Sequence, residues 1–297
     1  MRVVAIDLGS NSLQIIKYDC NEDRVIKSFL ATVRTAWGLV ESKKISKEAV
    51  NRVIDALNRA KEELDFSDSK VVAVTTQALR VAKNAKEVIE QIKEATNIEF
   101  RVISPKEEAK LTLLAVKARL EKLNINRDFV VVDIGGGSTE LSYYIDGKIY
   151  SKSFDLGIVT IANMAKSLEE IKREVKLRVK EIEEFAKRFD NKELIFCATA
   201  GTPTTIAALK HGLNYENYDA NIVTGTKLTI KDLDFYLDKL LKLSKKEREV
   251  AVGVGRDDLI VAGIIIFKEI YRVLDKKEAI IIDDGLSMGL AISSCKE

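Results

Sequence analysis

Phe129-Val130-Val131-Val132-Asp133-Ile134-Gly135-Gly136-Gly137-Ser138-Thr139-Glu140 runs from a fully apolar strand through an acid and a glycine turn into a returning strand. An unbroken run of aromatic and β-branched residues marks a strand covered on both faces. The pattern occurs twice. Val3-Val4-Ala5-Ile6 leads into Asp7-Leu8-Gly9-Ser10-Asn11-Ser12, so Asp7 and Asp133 stand 126 positions apart. In the first copy the return strand covers 13–20 and a third strand 24–33. In the second the return strand covers 140–145, and the Asp146-Gly147 turn leads to a third strand at 148–154.

Helical spacing follows each triplet. Behind a Ser46 N-cap, Val50, Val53, Ile54, Leu57, Ala60 and Leu64 recur at three or four residues. A short strand is expected at 71–75, a helix at 85–96, a strand at 99–103, and a helix starting at Ser104-Pro105-Lys106-Glu107, which reads as a capping box. After the second triplet Ser167-Leu168-Glu169-Glu170 is another capping box, opening a long helix, and strands follow at 194–198 and 279–283 with helices between them. The order βββαβαβ, twice over, predicts duplicated α/β domains with mixed sheets and a cleft between them, ligands lying at the strand ends. The domains are expected at 1–124 and 125–297, with 286–297 as a helix able to return to the first.

Composition narrows the chemistry. The 297 residues carry 48 Lys+Arg against 46 Asp+Glu, a net charge of +2, with no basic or acidic tail, so nucleic acid is not favoured as a partner. No stretch is long and apolar enough for a membrane span, and Met1-Arg2-Val3 leads directly into a strand, so a cytoplasmic protein without membrane attachment is expected. Cys20, Cys197 and Cys295 are odd in number and far apart, which predicts buried or incidental thiols and no disulfide. Abundant Lys and Glu, with Gln only at Gln14, Gln77 and Gln91, suggest a thermophilic source. The single histidine, His211, sits in Leu209-Lys210-His211-Gly212, which reads as a helix C-terminus. Zinc clusters of Cys and His are therefore excluded, and hydrolytic chemistry must rest on carboxylates, backbone amides and a hard metal ion.

The two glycine turns offer successive N–H groups and close approach for phosphate: Gly9, Ser10, Asn11 and Ser12 in one, Gly135, Gly136, Gly137, Ser138 and Thr139 in the other. The plainer alternative for each is a hairpin turn. Asp7 and Asp133 beside them suit Mg²⁺ (or Mn²⁺), or else hydrogen bonds to the turns' own amides. A third turn at Ala198-Thr199-Ala200-Gly201-Thr202 opens a helix toward an anion, and a fourth, Asp283-Asp284-Gly285, ends the last strand. Glu107 is assigned to the capping box. Glu108 projects about 100° away on the helix and is the candidate base, with Glu140 the runner-up.

Together with Thr76 to Arg80, Glu107-Glu108-Ala109-Lys110-Leu111, Gly255-Arg256-x-Asp258 and Asp284-Gly285-Leu286, these motifs resemble the exopolyphosphatase/guanosine pentaphosphate phosphohydrolase (Ppx/GppA) family. The resemblance spans nearly the whole chain and implies the actin-like (ribonuclease H-like) fold. It further implies Mg²⁺-dependent removal of a terminal phosphate from inorganic polyphosphate, or from the stringent-response nucleotide pppGpp. Glu108 matches the family's catalytic glutamate, Asp133 and Glu140 its metal and water site, and Arg80 a phosphate-binding arginine. Arg256 would meet a guanosine phosphate or cap a helix, and a homodimer is expected by family analogy. Two stretches depart from the pattern, Arg34-Thr35-Ala36-Trp37-Gly38 and Gly285-Leu286-Ser287-Met288-Gly289, and the histidine-rich domain of long relatives does not appear in this sequence. The rival readings are an actin-fold kinase or ATPase and a non-catalytic sensor of ppGpp or polyphosphate.

Overall fold

The structure is a computed structural model and describes residues 1–165 and 167–296. The chain forms two compact units, Met1–Ala115 with Leu286–Glu297, and Val116–Gly285. The division falls inside a helix, upstream of the 124/125 boundary expected from sequence.

The first unit runs β1 (Arg2–Leu8), β2 (Ser12–Asp19), β3 (Arg24–Thr32), α1 (Leu39–Ser42), α2 (Lys47–Leu64), β4 (Lys70–Thr75), α3 (Gln77–Val81), α4 (Ala85–Thr96), β5 (Arg101–Val102) and the start of α5 (Pro105–Lys122). The sheet order is β3-β2-β1-β4-β5. The first three strands are antiparallel, with Asp7 opposite Gln14, while β4 and β5 join in parallel. Only two residues of the strand expected at 99–103 are paired in the ladder; Ile103 N–H still donates to the Thr75 carbonyl at 3.0 Å, and the chain then enters α5. Helix α2 is capped by the Ser46 hydroxyl, which accepts from Ala49 N–H at 3.2 Å, and buries Val50, Val53, Leu57, Ala60 and Leu64 on one face.

This unit is closed by the end of the chain. Helix α13 (Leu286–Ser294) lies on β1 and β2, and Leu286, Leu290 and Ala291 join Val3, Ala5, Ile16, Tyr18 and Leu111 in one core. Each leucine so buried is worth about 1.5–3 kcal/mol relative to exposure. A Cβ at Gly289 would stand 1.9 Å from the Leu111 carbonyl oxygen, so glycine is what lets α13 approach α5. Here the expectation for the cysteines fails. Cys20, after β2, and Cys295, after α13, form a disulfide with Cα atoms 5.6 Å apart across 275 residues of sequence. Their neighbourhood exists only because α13 returns to the sheet, which cysteine spacing cannot show. Cys197 remains a thiol, buried on β9, where burial pushes its pKa up.

The second unit continues with β6 (Phe129–Ile134), β7 (Thr139–Ile145), β8 (Lys148–Phe154), α6 (Ile158–Met164), α7 (Leu168–Ala186), β9 (Ile195–Thr199), α8 (Gly201–Lys210) and α9 (Ala220–Val223). It ends with β10 (Lys227–Thr229), α10 (Ile230–Lys242), α11 (Lys245–Val252), α12 (Ile260–Leu274) and β11 (Glu278–Ile281). Its sheet order, β10-β11-β9-β6-β7-β8, repeats the first: three antiparallel strands, then β9 and β11 in parallel. The edge strand β10 is an addition that sequence reading passed over, being three residues long and followed at once by α10. Behind the sheet α7 and α12 pack together, and α12 is buried along nearly its whole length, with Phe196, Phe267 and Tyr271 meeting edge-on or tilted. The capping box at Ser167 and Glu170 is complete, and His211 is the C-cap of α8.

Candidate functional site

The two glycine turns have one construction. Gly9 N–H donates to the Ser12 carbonyl at 2.9 Å, and Gly135 N–H to the Ser138 carbonyl at 2.9 Å. The turn carbonyls are then taken by a following segment. In the first unit Ser10 O accepts from Ala36 N–H at 2.9 Å and Asn11 O from Val33 and Arg34 N–H at 2.9 and 2.8 Å. In the second, Gly135 O and Gly136 O accept from Ile158 and Val159 N–H at 3.0 and 2.8 Å, and Gly137 O from the Thr160 hydroxyl at 3.1 Å. The amides of Ser10, Asn11, Gly136 and Gly137 take no backbone hydrogen bond among the described residues. A turn with its carbonyls bound and its amides available has the backbone form that can seat an anion. Gly157 secures the second one: a Cβ there would stand 2.3 Å from Gly136 O and Gly137 C.

Beyond the backbone the copies differ. Asp133 and Glu140 are directly opposed across β6 and β7, so their side chains leave the same face of the sheet. Their counterparts in the first unit are Asp7 and Gln14, so only the second unit carries an acid pair. Glu140 is 4% exposed, and its Oε1 accepts from the Ser138 and Ser153 hydroxyls at 2.7 and 2.6 Å. The Thr139 hydroxyl donates to the Leu156 carbonyl, so it acts within the fold.

In the first unit α3 and α5 bring Arg80 to Glu108. Glu108 lies in the first turn of α5, its N–H on the Ser104 carbonyl at 2.9 Å, and is 8% exposed. Arg80 Nη1 reaches Glu108 Oε2 at 2.5 Å and also donates to Ile103 O at 3.0 Å, while Nε and Nη2 lie 3.3 and 3.1 Å from Gln77 Oε1. Burial pushes the Glu108 carboxyl above the ordinary glutamate value, and the Arg80 charge and hydrogen bond pull it back. Glu107 has a simpler role than expected. Its N–H donates to the Ser104 hydroxyl at 3.2 Å, but its carboxylate pairs with Arg101 at 2.7 Å, so only half of the expected capping box forms.

The third and fourth turns lie together in the second unit. Arg256 Nη2 donates to Gly201 O at 3.0 Å and to the Thr205 hydroxyl at 3.2 Å, laying its guanidinium over the first turn of α8. Burial lowers the Arg256 pKa, while Tyr215, Tyr218 and Asp283 raise it. Tyr218 donates to Asp283 Oδ1 at 2.6 Å, and burial raises the Asp283 pKa. Ala200, at φ 72°, holds a left-handed backbone that a non-glycine residue adopts only under constraint. The Thr202 side chain is buried against Gly263 of α12, which leaves only its backbone for an anion. Gly285 lies beside Thr199, and the preceding Asp284 is bound by Arg119 at 2.5 and 3.1 Å.

A profile of the Ppx/GppA phosphatase family matches residues 24–297. The chain belongs to that family. It is 28% identical over 319 residues to exopolyphosphatase 2 of Mycobacterium tuberculosis, covering 98% of each chain. It is 27% identical over 307 residues to a bifunctional 3-dehydroquinate synthase/phosphatase of Fusobacterium nucleatum, which accounts for 96% of this chain but 45% of that protein. The crystal structure of the Aquifex aeolicus Ppx/GppA family member matches at a TM-score of 0.77 and 29% identity, over 99% of this chain and 97% of that one. An exopolyphosphatase from Cytophaga hutchinsonii matches at a TM-score of 0.87 and 21% identity, over 100% and 98% of the two chains, a likeness of fold alone. The fold is the mixed α/β, actin-like fold of the Ppx/GppA proteins. Sequence reading missed Gln77, which holds Arg80. The i, i+3 spacing of the two on α3 was the available signal, since it places them on one face of a helix.

Proposed function

We propose that this Ppx/GppA protein is an exopolyphosphatase that removes the terminal phosphate of inorganic polyphosphate with Mg²⁺ (or Mn²⁺), with pppGpp as a second substrate. The observation that carries this is the pair of glycine turns whose carbonyls are bound and whose amides are available. Similarity to exopolyphosphatase 2 of M. tuberculosis over nearly the full length of both chains supports it.

A metal fits the second unit in one particular way. No cluster of three or more His, Cys, Asp or Glu able to hold a metal occurs among the described residues, so an all-protein cage is not offered. Mg²⁺ is commonly held by one or two carboxylates, water and substrate phosphate, and the opposed Asp133 and Glu140 supply that set. When bound it would neutralise charge on the phosphate oxygens.

The chain's own residues do the rest. In each unit the turn amides, those of Ser10 and Asn11 in the first and of Gly136 and Gly137 in the second, bind and orient phosphate oxygens. Arg80, in the first unit, offers a guanidinium charge to phosphate. Glu108 accepts a proton from water as the water oxygen bonds to phosphorus and the bond to the leaving phosphate oxygen breaks. No covalent enzyme intermediate is required, and positioning with charge neutralisation supplies most of the rate. Arg80 and Glu108 neutralise each other in this structure, so an anion that draws Arg80 away also restores Glu108 as a base. A thermophilic source would reconcile a disulfide with a cytoplasmic setting.

The test is phosphate release from polyphosphates of several lengths and from pppGpp, measured side by side with and without Mg²⁺ and with no acceptor present. Mg²⁺-dependent release from polyphosphate is the expected result. Release that requires an added acceptor would make the protein a kinase, and tight binding without release would make it a sensor.

A further inference from the structure

The segment that closes the first glycine turn contains a residue no motif singled out as a ligand. We propose that Thr35 is a third side-chain contact, beside Ser10 and Asn11, for the phosphate held by that turn; this rests on the phosphate-binding reading given above. Thr35 is 1% exposed, Ser10 4% and Asn11 7%. Thr35 Oγ1, Ser10 Oγ and Asn11 Oδ1 are all buried, and no described residue gives any of them a hydrogen bond. Buried polar atoms are rarely left so, because each forgoes its hydrogen bonds to water without replacement. Three in two adjoining segments mark hydrogen-bonding capacity kept for a ligand.

Backbone geometry places the two segments together. Arg34 N–H and Ala36 N–H, on either side of Thr35, donate to Asn11 O and Ser10 O. Arg34 itself holds φ 49°, in the left-handed region, which a non-glycine residue adopts only where its surroundings enforce it. The enforcement is visible: Arg52 Nε donates to Val33 O at 2.8 Å and Nη2 to Arg34 O at 3.5 Å, and the Arg34 guanidinium lies 4.6 Å from the centre of the exposed Trp37 ring. The chain is thus constrained at Arg34, and the next side chain is a buried hydroxyl. The matching segment of the second unit behaves differently, since Thr160 spends its hydroxyl on Gly137 O. A hydroxyl donates to a phosphate oxygen, as does the Asn11 amide when its NH₂ end is turned to the ligand.

The experiment replaces Thr35 by Val, which keeps the shape and removes the hydroxyl, and by Ser, which keeps the hydroxyl. KM and kcat for phosphate release are measured together with the melting temperature with and without orthophosphate and tripolyphosphate. Thr35→Val should raise KM about tenfold, the effect of one hydrogen bond to a charged group, with kcat within about twofold. It should melt no lower than wild type without ligand and lose most of the ligand-induced rise. Thr35→Ser should restore both readouts, and it decides the matter if the Val variant does not fold. An unchanged KM and ligand shift in Thr35→Val, or a lower melting temperature with KM unchanged, overturns the proposal and makes the hydroxyl structural. If wild type releases no phosphate, the functional reading fails on its own. The ligand-induced melting shift then still tests Thr35, and its absence in wild type would sink the contact as well.

Discussion

Cutting the bond between Cys20 and Cys295, by reduction or by the double replacement Cys20→Ser/Cys295→Ser, should loosen the first unit selectively. The bond closes a loop of 275 residues. In the chain-entropy picture a loop of that length restricts the unfolded ensemble by about 5.6 kcal/mol at 25 °C, which is a ceiling, because residual structure in the unfolded chain lowers it. Bonds of this kind more often deliver about 2–4 kcal/mol. With an unfolding entropy of about 2.1 cal/mol/K per residue, a unit of this size should lose roughly 7–15 °C of melting temperature. Calorimetry with and without reductant reads the shift, and hydrogen exchange should locate the loss in α13, β1 and β2, with β6 and β9 little affected. Thiol titration supplies the control: denatured, unreduced protein should expose Cys197 alone, and reduction should add Cys20 and Cys295. Three reactive thiols before reduction, or a melting transition indifferent to reductant, would refute the reasoning.

The other expectations concern the site. Glu108→Gln should lower turnover at least about a hundredfold while substrate binding persists, and near-normal turnover would remove Glu108 as the base. Glu108→Ala should in addition cost about 3–5 kcal/mol of stability, since it leaves the Arg80 charge without its buried partner. Because burial raises the Glu108 pKa, the acid limb of kcat/KM should lie above the ordinary value of 4.5. The same shift favours the folded state at acid pH, and that contribution fades as pH rises from 4.5 through the raised value; a pH–stability profile of Glu108→Gln should lack it. Gly157→Ala forces backbone atoms 2.3 Å away to move, so phosphate release should fall at least tenfold with a loss of about 1–3 kcal/mol in denaturant melts. Asp133→Asn should raise the Mg²⁺ concentration for half-maximal release about tenfold or more, and an unchanged Mg²⁺ titration would move the metal elsewhere.

Much of this was legible because local chemistry and global arrangement agree. Val130 to Val132 could only be a covered strand, and the repeat from Asp7 to Asp133 carried the duplicated topology, with the glycine turns where the strands end. Glu108 separated from Glu107 by helix geometry alone, and the structure buries the one and leaves the other half-buried. What stayed hidden depends on contacts distant in sequence. The disulfide needs α13 on the first sheet, and Arg256 meets Gly201 across 55 positions. Thr35 is buried beside Arg34, which adopts a conformation that its residue type disfavours. No periodicity signals a residue held against its own propensity by its neighbours.

The unequal commitment of the two glycine turns bears on how the sequence would drift under different selections. Ser138 and Thr139 spend their hydroxyls inside the protein, so a library selected for folding alone should keep them. Ser10, Asn11 and Thr35 contribute little to the ligand-free fold and carry the cost of buried polar atoms, so the same library should replace them with apolar residues of similar size. Selection for phosphate release should bring all three back. Two turns with one backbone would then record separate histories, the second read out by stability and the first by catalysis.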